Sequence, residues 1–272
     1  MKISFSTVGC PNFTWDEIIA TAKDFGYDGI ELRGICDELE VYRASPFTGD
    51  NLRLTKKRLD DLNLEISCIS TSCYLFDKKA KDATIEAAEK HMRLAKELGC
   101  KYIRVLGDEW ITPGENVDEE FVKEMLCMLC EIAKSYDVDV LIETNGIWAN
   151  SQKLAALLEK VPYQNVGVVW DIHHPYRFFN EDVGYTYSNL KEYIKHVHVK
   201  DSKIENGKLV FKMIGEGNVP IDKAINLLIK DNYTGYISLE WVKRWFSELE
   251  EPGVVFLGFI NKIKALLNKI NK

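Results

Sequence analysis

No stretch of this sequence approaches the ~18 consecutive apolar residues that a membrane-spanning helix needs. The opening MKISFSTVGCPNF has too short an apolar run, and too many polar side chains, for an export signal. A cytoplasmic chain with no membrane partner is therefore expected. Basic charge is also in short supply: 35 Lys and Arg against 42 Asp and Glu give a formal net charge of -7. Extended backbone phosphates demand a clustered basic surface, so a nucleic-acid partner is excluded. No Pro/Gly/Ser-rich stretch or charge block divides the 272 residues, and residues 1–272 read as one domain. Seven cysteines leave one over in any full pairing, which speaks against a disulfide framework. All seven are expected to be buried small side chains. The C-x-x-C pair Cys127 and Cys130 lies within the helical pattern EEFVKEMLCMLCEIAKSY, where core packing outweighs zinc or redox chemistry.

What is present is an alternation of short β-branched runs with longer amphipathic segments, repeated eight times. The strand candidates are 2–8, 29–33, 65–71, 102–107, 138–144, 166–171, 196–201 and 236–241. Thr14 and Glu17 form a capping box for a helix running to Phe25, with Gly26 at its end. A second helix runs from about Ala80 to Leu98 before Gly99. Asn150 or Ser151 opens a helix reaching Lys160 before Pro162, and Pro220 or Ile221 opens another reaching Lys230. The sixth helix, around Gly184 to Tyr193, is weakly marked. Eight β-then-α units fit either a closed barrel or an open doubly wound sheet. The first strand is followed by GCPNFTW rather than a G-x-G-x-x-G phosphate loop, so a (β/α)8 TIM barrel is expected.

The last four strands end in Glu143, Asp171, His198 and Glu240. Taken singly, such residues cap helices or make structural hydrogen bonds. The period of two along a strand, however, places Leu141 with Glu143, Val169 with Asp171, His196 with His198 and Ser238 with Glu240 on the inner face. Four neighbouring strands then aim three carboxylates and an imidazole at one point, where mutual repulsion calls for a cation. Mostly hard oxygen donors with one nitrogen suit one divalent ion, Mn2+ first, then Mg2+, with Co2+ and Zn2+ as alternatives. Glu31, Asn145 and Lys200 stand near these strand ends, where substrate hydrogen bonding competes with solvated or capping roles. Trp110, Trp148, Trp241 and Trp245 are candidates to wall a pocket or to pack on the barrel rim.

The strings LIETNG, WDIHHP, HVHVKD, IGEGNVP and ISLEW, in that order, resemble the xylose isomerase-like barrel superfamily across essentially the whole chain. That superfamily includes sugar phosphate isomerases and epimerases, ketose 3-epimerases, hydroxypyruvate isomerase and inosose dehydratase. The resemblance implies that Glu143, Asp171, His198 and Glu240 are metal ligands and that Glu143 and Glu240 are the catalytic acid/base pair. It further implies that His174, rather than His173, contacts a small carbohydrate substrate. Proton abstraction next to a carbonyl gives a metal-stabilised enediolate, which leads to isomerisation, epimerisation or, by loss of a β-hydroxyl, dehydration. The stretch DSKIENGK after His198 lacks the arginine found there in ketose 3-epimerases. No cluster of Lys, Arg and Gly marks a phosphate site, so a non-phosphorylated substrate is preferred. A three-zinc apurinic-site endonuclease would need more than the five histidines present. A non-catalytic sugar-binding barrel is the alternative of another class, and self-association is left open.

Overall fold

The β-branched runs become strands because each buries apolar side chains outward against helices while turning its other face to a shared interior. A computed structural model describes residues 1–270. Its strands are β1 (Lys2–Ser6), β2 (Gly29–Leu32), β3 (Glu65–Tyr74), β4 (Tyr102–Leu106), β5 (Asp139–Glu143), β6 (Val166–Asp171), β7 (Ile194–Val199), β8 (Asp201–Glu205), β9 (Lys208–Lys212) and β10 (Tyr236–Leu239). Eight of them close a parallel barrel in the order β1-β10-β7-β6-β5-β4-β3-β2, while β8 and β9 form a separate antiparallel hairpin. The helices are α1 (Trp15–Phe25), α2 (Gly49–Leu62), α3 (Lys81–Leu98), α4 (Glu119–Lys134), α5 (Ser151–Leu158), α6 (His173–Phe178), α7 (Val183–Leu190), α8 (Ile221–Lys230) and α9 (Pro252–Ile270). Among the described residues no helix is long and apolar enough to cross a membrane.

Local chemistry sets the boundaries. The Thr14 capping box forms in full, and Gly26 ends α1 at φ 76 in the left-handed region. Asn150 caps α5 by accepting from the Lys153 amide at 2.9 Å. The weakly marked sixth helical segment resolves into α6 and α7, the latter capped by Asp182. One strand expectation is corrected: β7 runs Ile194–Val199, and Asp201 already belongs to the hairpin. Its turn, Asn206-Gly207, has φ of 51 and 75, the pairing that a two-residue hairpin loop demands. The cysteine expectation is corrected in part, because Cys36 is exposed and Cys127 half-buried, while the other five are buried.

Register explains the interior. Ser4 lies level with Ser238, Ser238 with His198, and His198 with Asp171. Their neighbours Phe5, Leu239, Val197 and Trp170 are fully buried on the outer face. Phe5, for example, stacks on Phe256 of α9 at 4.3 Å. Barrel interiors are commonly layered with branched apolar residues. Here Ser4, Ser6, Glu31, Ser70, Arg104 and His196 are buried there instead, and Glu31, Ser70, Arg104 and His196 make polar contacts that lead up to the site.

Candidate active site

Glu143 closes β5, Asp171 closes β6, His198 is one residue from the end of β7, and Glu240 directly follows β10. The structure brings all four together: one donor atom from each lies within 4.8 Å of the others. His198 Nδ1 is 3.6 Å from Glu240 Oε1 and 3.8 Å from Glu143 Oε1, and has no hydrogen-bond partner. Asp171 divides its work. Oδ1 accepts from the amides of His173 and His174 at 2.8 and 3.3 Å, pinning the start of α6, which leaves Oδ2 for the cluster. Glu143 and Glu240 form part of the wall of a cavity of about 360 Å³ at the C-terminal ends of the strands.

The expectation that three carboxylates here require an added cation is corrected by the charges around them. Lys200 Nζ contacts both Asp171 Oδ2 and Glu240 Oε2, and Arg104 Nε is 3.0 Å from Glu143 Oε2. Each acid thus touches a protein cation, but Lys200 is shared between two, so that two cations face three carboxylates and the expectation is corrected only in part. The fit to a metal rests on the convergence of the donors and on the open Nδ1 of His198. Burial alone would raise the Glu143 carboxyl, but Arg104 and His198 outweigh it and hold the group well below the ordinary carboxylate range. Lys200 is displaced the other way: burial disfavours its charge, yet Asp171 and Glu240 keep it firmly protonated.

Glu31 is not where a substrate-contacting residue belongs. It is fully buried beneath the cluster and off the cavity wall, because the inward face of β2 points it into the barrel core. There it accepts from Ser70 Oγ at 2.7 Å, from His196 Nε2 at 2.8 Å and from His198 Nε2 at 3.0 Å. Burial opposes its ionisation, but the two imidazoles outweigh that and hold its carboxyl far below the ordinary range. A carboxylate behind a ligating histidine fixes the orientation of the ring, here with Nε2–H on Glu31 and Nδ1 aimed at the cluster. Burial disfavours the charged imidazole, but Glu31 and Glu240 outweigh it and raise its pKa well above the ordinary value, so that a metal ion would take the place of the Nδ1 proton. Glu31, His196 and His198 also converge closely enough to suggest a second metal group, but their 2.8–3.0 Å N···O contacts are hydrogen bonds that already satisfy them. In the third convergent group, Asp171 with His173 and His174, one nitrogen of His173 is occupied and the other, Nδ1, has no partner. Its Nε2 bonds Ser202 Oγ at 2.9 Å and its ring stacks on Phe211.

His174 lines the cavity, its Nδ1 donating to Thr144 O at 2.9 Å and its Nε2 left without a partner. Burial lowers its pKa, so Nε2 is a free acceptor. Asn145 and Lys200 also lie on the wall, and Asn145 Oδ1 is likewise unpartnered. Of the four tryptophans, Trp110 and Trp245 border the mouth with 64% and 52% of their surface exposed. Trp148 and Trp241 are fully buried in the shell. Trp148 packs so closely on Gly107 that a Cβ there would sit 2.3 Å from its ring nitrogen. Sequence reasoning missed Arg33, Tyr74, Arg104 and Phe211, all on the wall. Alternation along YIRVLG would have turned Arg104 inward, and the Asn-Gly turn would have signalled the hairpin that carries Phe211.

A closed parallel barrel with a carboxylate-rich cluster at the C-terminal mouth defines a TIM-barrel protein with an enzyme-like site. The chain matches the family described as Xylose isomerase-like TIM barrel over residues 19–255, and it belongs to that family. It is similar to Fructoselysine 3-epimerase of Escherichia coli O157:H7, 24% identical over 98% of both chains. It is also similar to Inosose dehydratase of Mesomycoplasma hyopneumoniae (strain J / ATCC 25934 / NCTC 10110), 23% identical over 84% of this chain and 81% of that one. Among solved structures, one described as IOLI protein with a binding zinc atom superposes with a TM-score of 0.79 at 18% identity, covering 98% of each chain, a likeness of fold.

Proposed function

We propose that this protein is a divalent-metal-dependent isomerase or epimerase of a small sugar or keto-sugar, with Glu143, Asp171, His198 and Glu240 as ligands. The observation that carries the reading is the convergence of these four donors at the cavity floor, with His198 Nδ1 held open by Glu31. Mn2+ is the preferred ion for this donor set. When bound, a divalent ion supplies Lewis acidity toward the carbonyl and hydroxyl oxygens of a substrate.

The chain's own residues do the rest. Glu143 and Glu240 are the proton carriers: one takes the proton from the carbon beside the carbonyl, and the other, having taken up a proton from solvent, returns it to the resulting enediolate, after which the first releases its proton to solvent. Lys200 bridges Asp171 and Glu240 and holds the two side chains in place. His174 Nε2 and Asn145 Oδ1 accept from substrate hydroxyls, and Trp110 and Trp245 limit the access of water at the mouth. Similarity to both an epimerase and a dehydratase supports sugar chemistry that begins with proton abstraction. Dehydration of an inosose or keto-sugar is the second reading, since loss of a β-hydroxyl follows from the same first step.

Elemental analysis of the purified protein tests the metal, and NMR in D2O against ketoses, inososes and 3-keto-sugars tests the chemistry. One bound ion per chain and deuterium entering a single carbon, abolished by chelation, are expected. Sugar binding without exchange would make the protein a binding barrel, and exchange that survives complete metal removal would overturn the ion's role.

A further inference from the structure

We propose that the substrate carries a carboxylate and no phosphate, and that Arg33 is the receptor for that carboxylate. The inference deepens the sugar-enzyme reading and rests on it. Three basic side chains line the cavity: Arg33, Arg104 and Lys200. Arg104 is matched by Glu143, and Lys200 by Asp171 and Glu240. No carboxylate among the described residues lies within ion-pairing distance of Arg33. Its one side-chain hydrogen bond runs from Nη1 to Ser72 Oγ at 3.1 Å, although only 6% of the residue is exposed.

A guanidinium presents five N–H donors, and burying a charge without a partner is costly. Burial and the nearby Arg104 lower its pKa to about 10, which still leaves it charged near neutral pH. Glu109, the remaining acid on the wall, is exposed to water and has no contact with Arg33. An anion entering from the cavity is the partner that Arg33 lacks.

The residue is also held still. It directly follows β2, and its amide donates to Thr7 Oγ1 at 2.8 Å while that hydroxyl donates to Gly34 O at 2.7 Å. One face of the guanidinium lies over Trp245, 5.7 Å from the ring centroid. The planar edge remains for ligand, and that edge matches a carboxylate bidentately.

Phosphate is disfavoured by a second, independent feature. TIM barrels that hold phosphate use backbone amides in the loops after the seventh and eighth strands. Here the amides beyond β7 are filled from within. The Asp201 carboxylate accepts from Ser202 at 2.8 Å, from Gly215 and Gly217 at 3.0 Å each and from Val219 at 3.1 Å. These four amides are therefore closed to a phosphate.

The test is calorimetric titration of the Mn2+-supplemented protein with D-fructuronate, D-fructose and D-fructose 6-phosphate, and with D-tagaturonate against D-tagatose. A keto-uronate is expected to bind roughly tenfold or more tightly than its neutral counterpart, with the phosphate ester gaining nothing. Arg33→Gln should bring that ratio to within about twofold, and Arg33→Lys, which keeps the charge but not the fork, should restore part of it. Equal binding of acid and neutral sugar, tightest binding of the phosphate, or a ratio untouched in both variants would overturn the proposal. Deuterium exchange keeps the two readings apart. Exchange into ketoses regardless of a carboxylate defeats only the role of Arg33, whereas Arg33-dependent binding with no exchange of any sugar defeats only the enzyme reading.

Discussion

Strands β5, β6, β7 and β10 lead to Glu143, Asp171, His198 and Glu240, whereas β2, β3 and β4 lead to Arg33, Tyr74 and Arg104. The acidic half compensates itself in part: Lys200, directly after β7, is shared by Asp171 and Glu240 within the same arc of the barrel. At the mouth the basic half is paired with the acidic one at the β4–β5 seam, through Arg104 and Glu143. Arg33 stands away from that seam and stays unmatched. Charge on one side is thus arranged to hold a cation and move protons, and charge on the other to receive part of the substrate.

The comparison breaks most sharply at Glu143 and Glu240. Glu143→Gln and Glu240→Gln keep shape but remove a proton carrier, and each should lower turnover by about 10²–10⁴-fold in the D2O exchange assay. A basic-half change such as Arg33→Gln should act chiefly on substrate affinity. If Glu143→Gln were to leave the exchange rate intact and raise only KM, the acidic half would be a binding surface and the division would fail.

Glu31 reaches across the floor from the basic half to His198, so it tests whether the two halves are mechanically joined. Glu31→Gln leaves a donor where both imidazoles need an acceptor. Metal affinity should fall about 10–100-fold, as for other carboxylates behind ligating histidines. Direct metal titration, with circular dichroism to verify the fold, reads this without recourse to activity. An unchanged affinity would show that His198 holds its orientation without Glu31.

Much of this division could be read from the chain, and the unread part has a physical pattern. Glu143, Asp171, His198 and Glu240 were legible because period-two alternation puts each on an inner face at a strand end, information that is local to each strand. Glu31 was read at the rim because alternation gives the face but not the depth, and the β2 register sets it level with Cys68, well before the end of β3 at Tyr74. Arg33 was passed over although it closes the expected strand 29–33 on the same face as Glu31; that it has no acid partner depends on tertiary contacts, and its backbone is held by Thr7 from another loop. The ion pairs of Lys200 and Arg104, which changed the electrostatic argument, join residues tens of positions apart and carry no sequence signature.

A pH effect on activity must be separated from a pH effect on the fold, and His91 supplies the latter. It is buried on α3 beneath the segment that follows β2, with Nδ1 donating to Ala87 O at 2.8 Å and Tyr42 edge-on at 4.9 Å. Burial lowers its pKa from 6.5 to about 4. Above pH 6.5 both folded and unfolded chains are neutral there, so the group adds no slope. As pH falls from 6.5 toward 4, the unfolded chain takes up a proton that the fold refuses, and stability drops by at most about 1.4 kcal/mol per pH unit. Urea melts of wild type and His91→Leu between pH 7 and pH 4.5 should differ in this slope, and identical slopes would assign acid sensitivity to the carboxylates alone.

The smallest expected effect concerns the β8–β9 hairpin, a piece of wall outside the barrel sheet. Gly207 has φ 75, and a Cβ at that position would meet nothing within 4 Å, so Gly207→Ala costs only the left-handed backbone, about 1–2 kcal/mol. The loss falls on the β8–β9 hairpin, whose Phe211 stacks on His173 at 5.7 Å and lines the cavity. Because the barrel strands pair independently of this hairpin, the global melting temperature should barely move, while the hairpin amides exchange with solvent several-fold faster. Substrate KM should rise more than kcat falls, since the acids on β5 and after β10 are untouched. If instead the whole barrel loses stability and KM is unaltered, the hairpin is a structural strap for β7 and not a wall of the site.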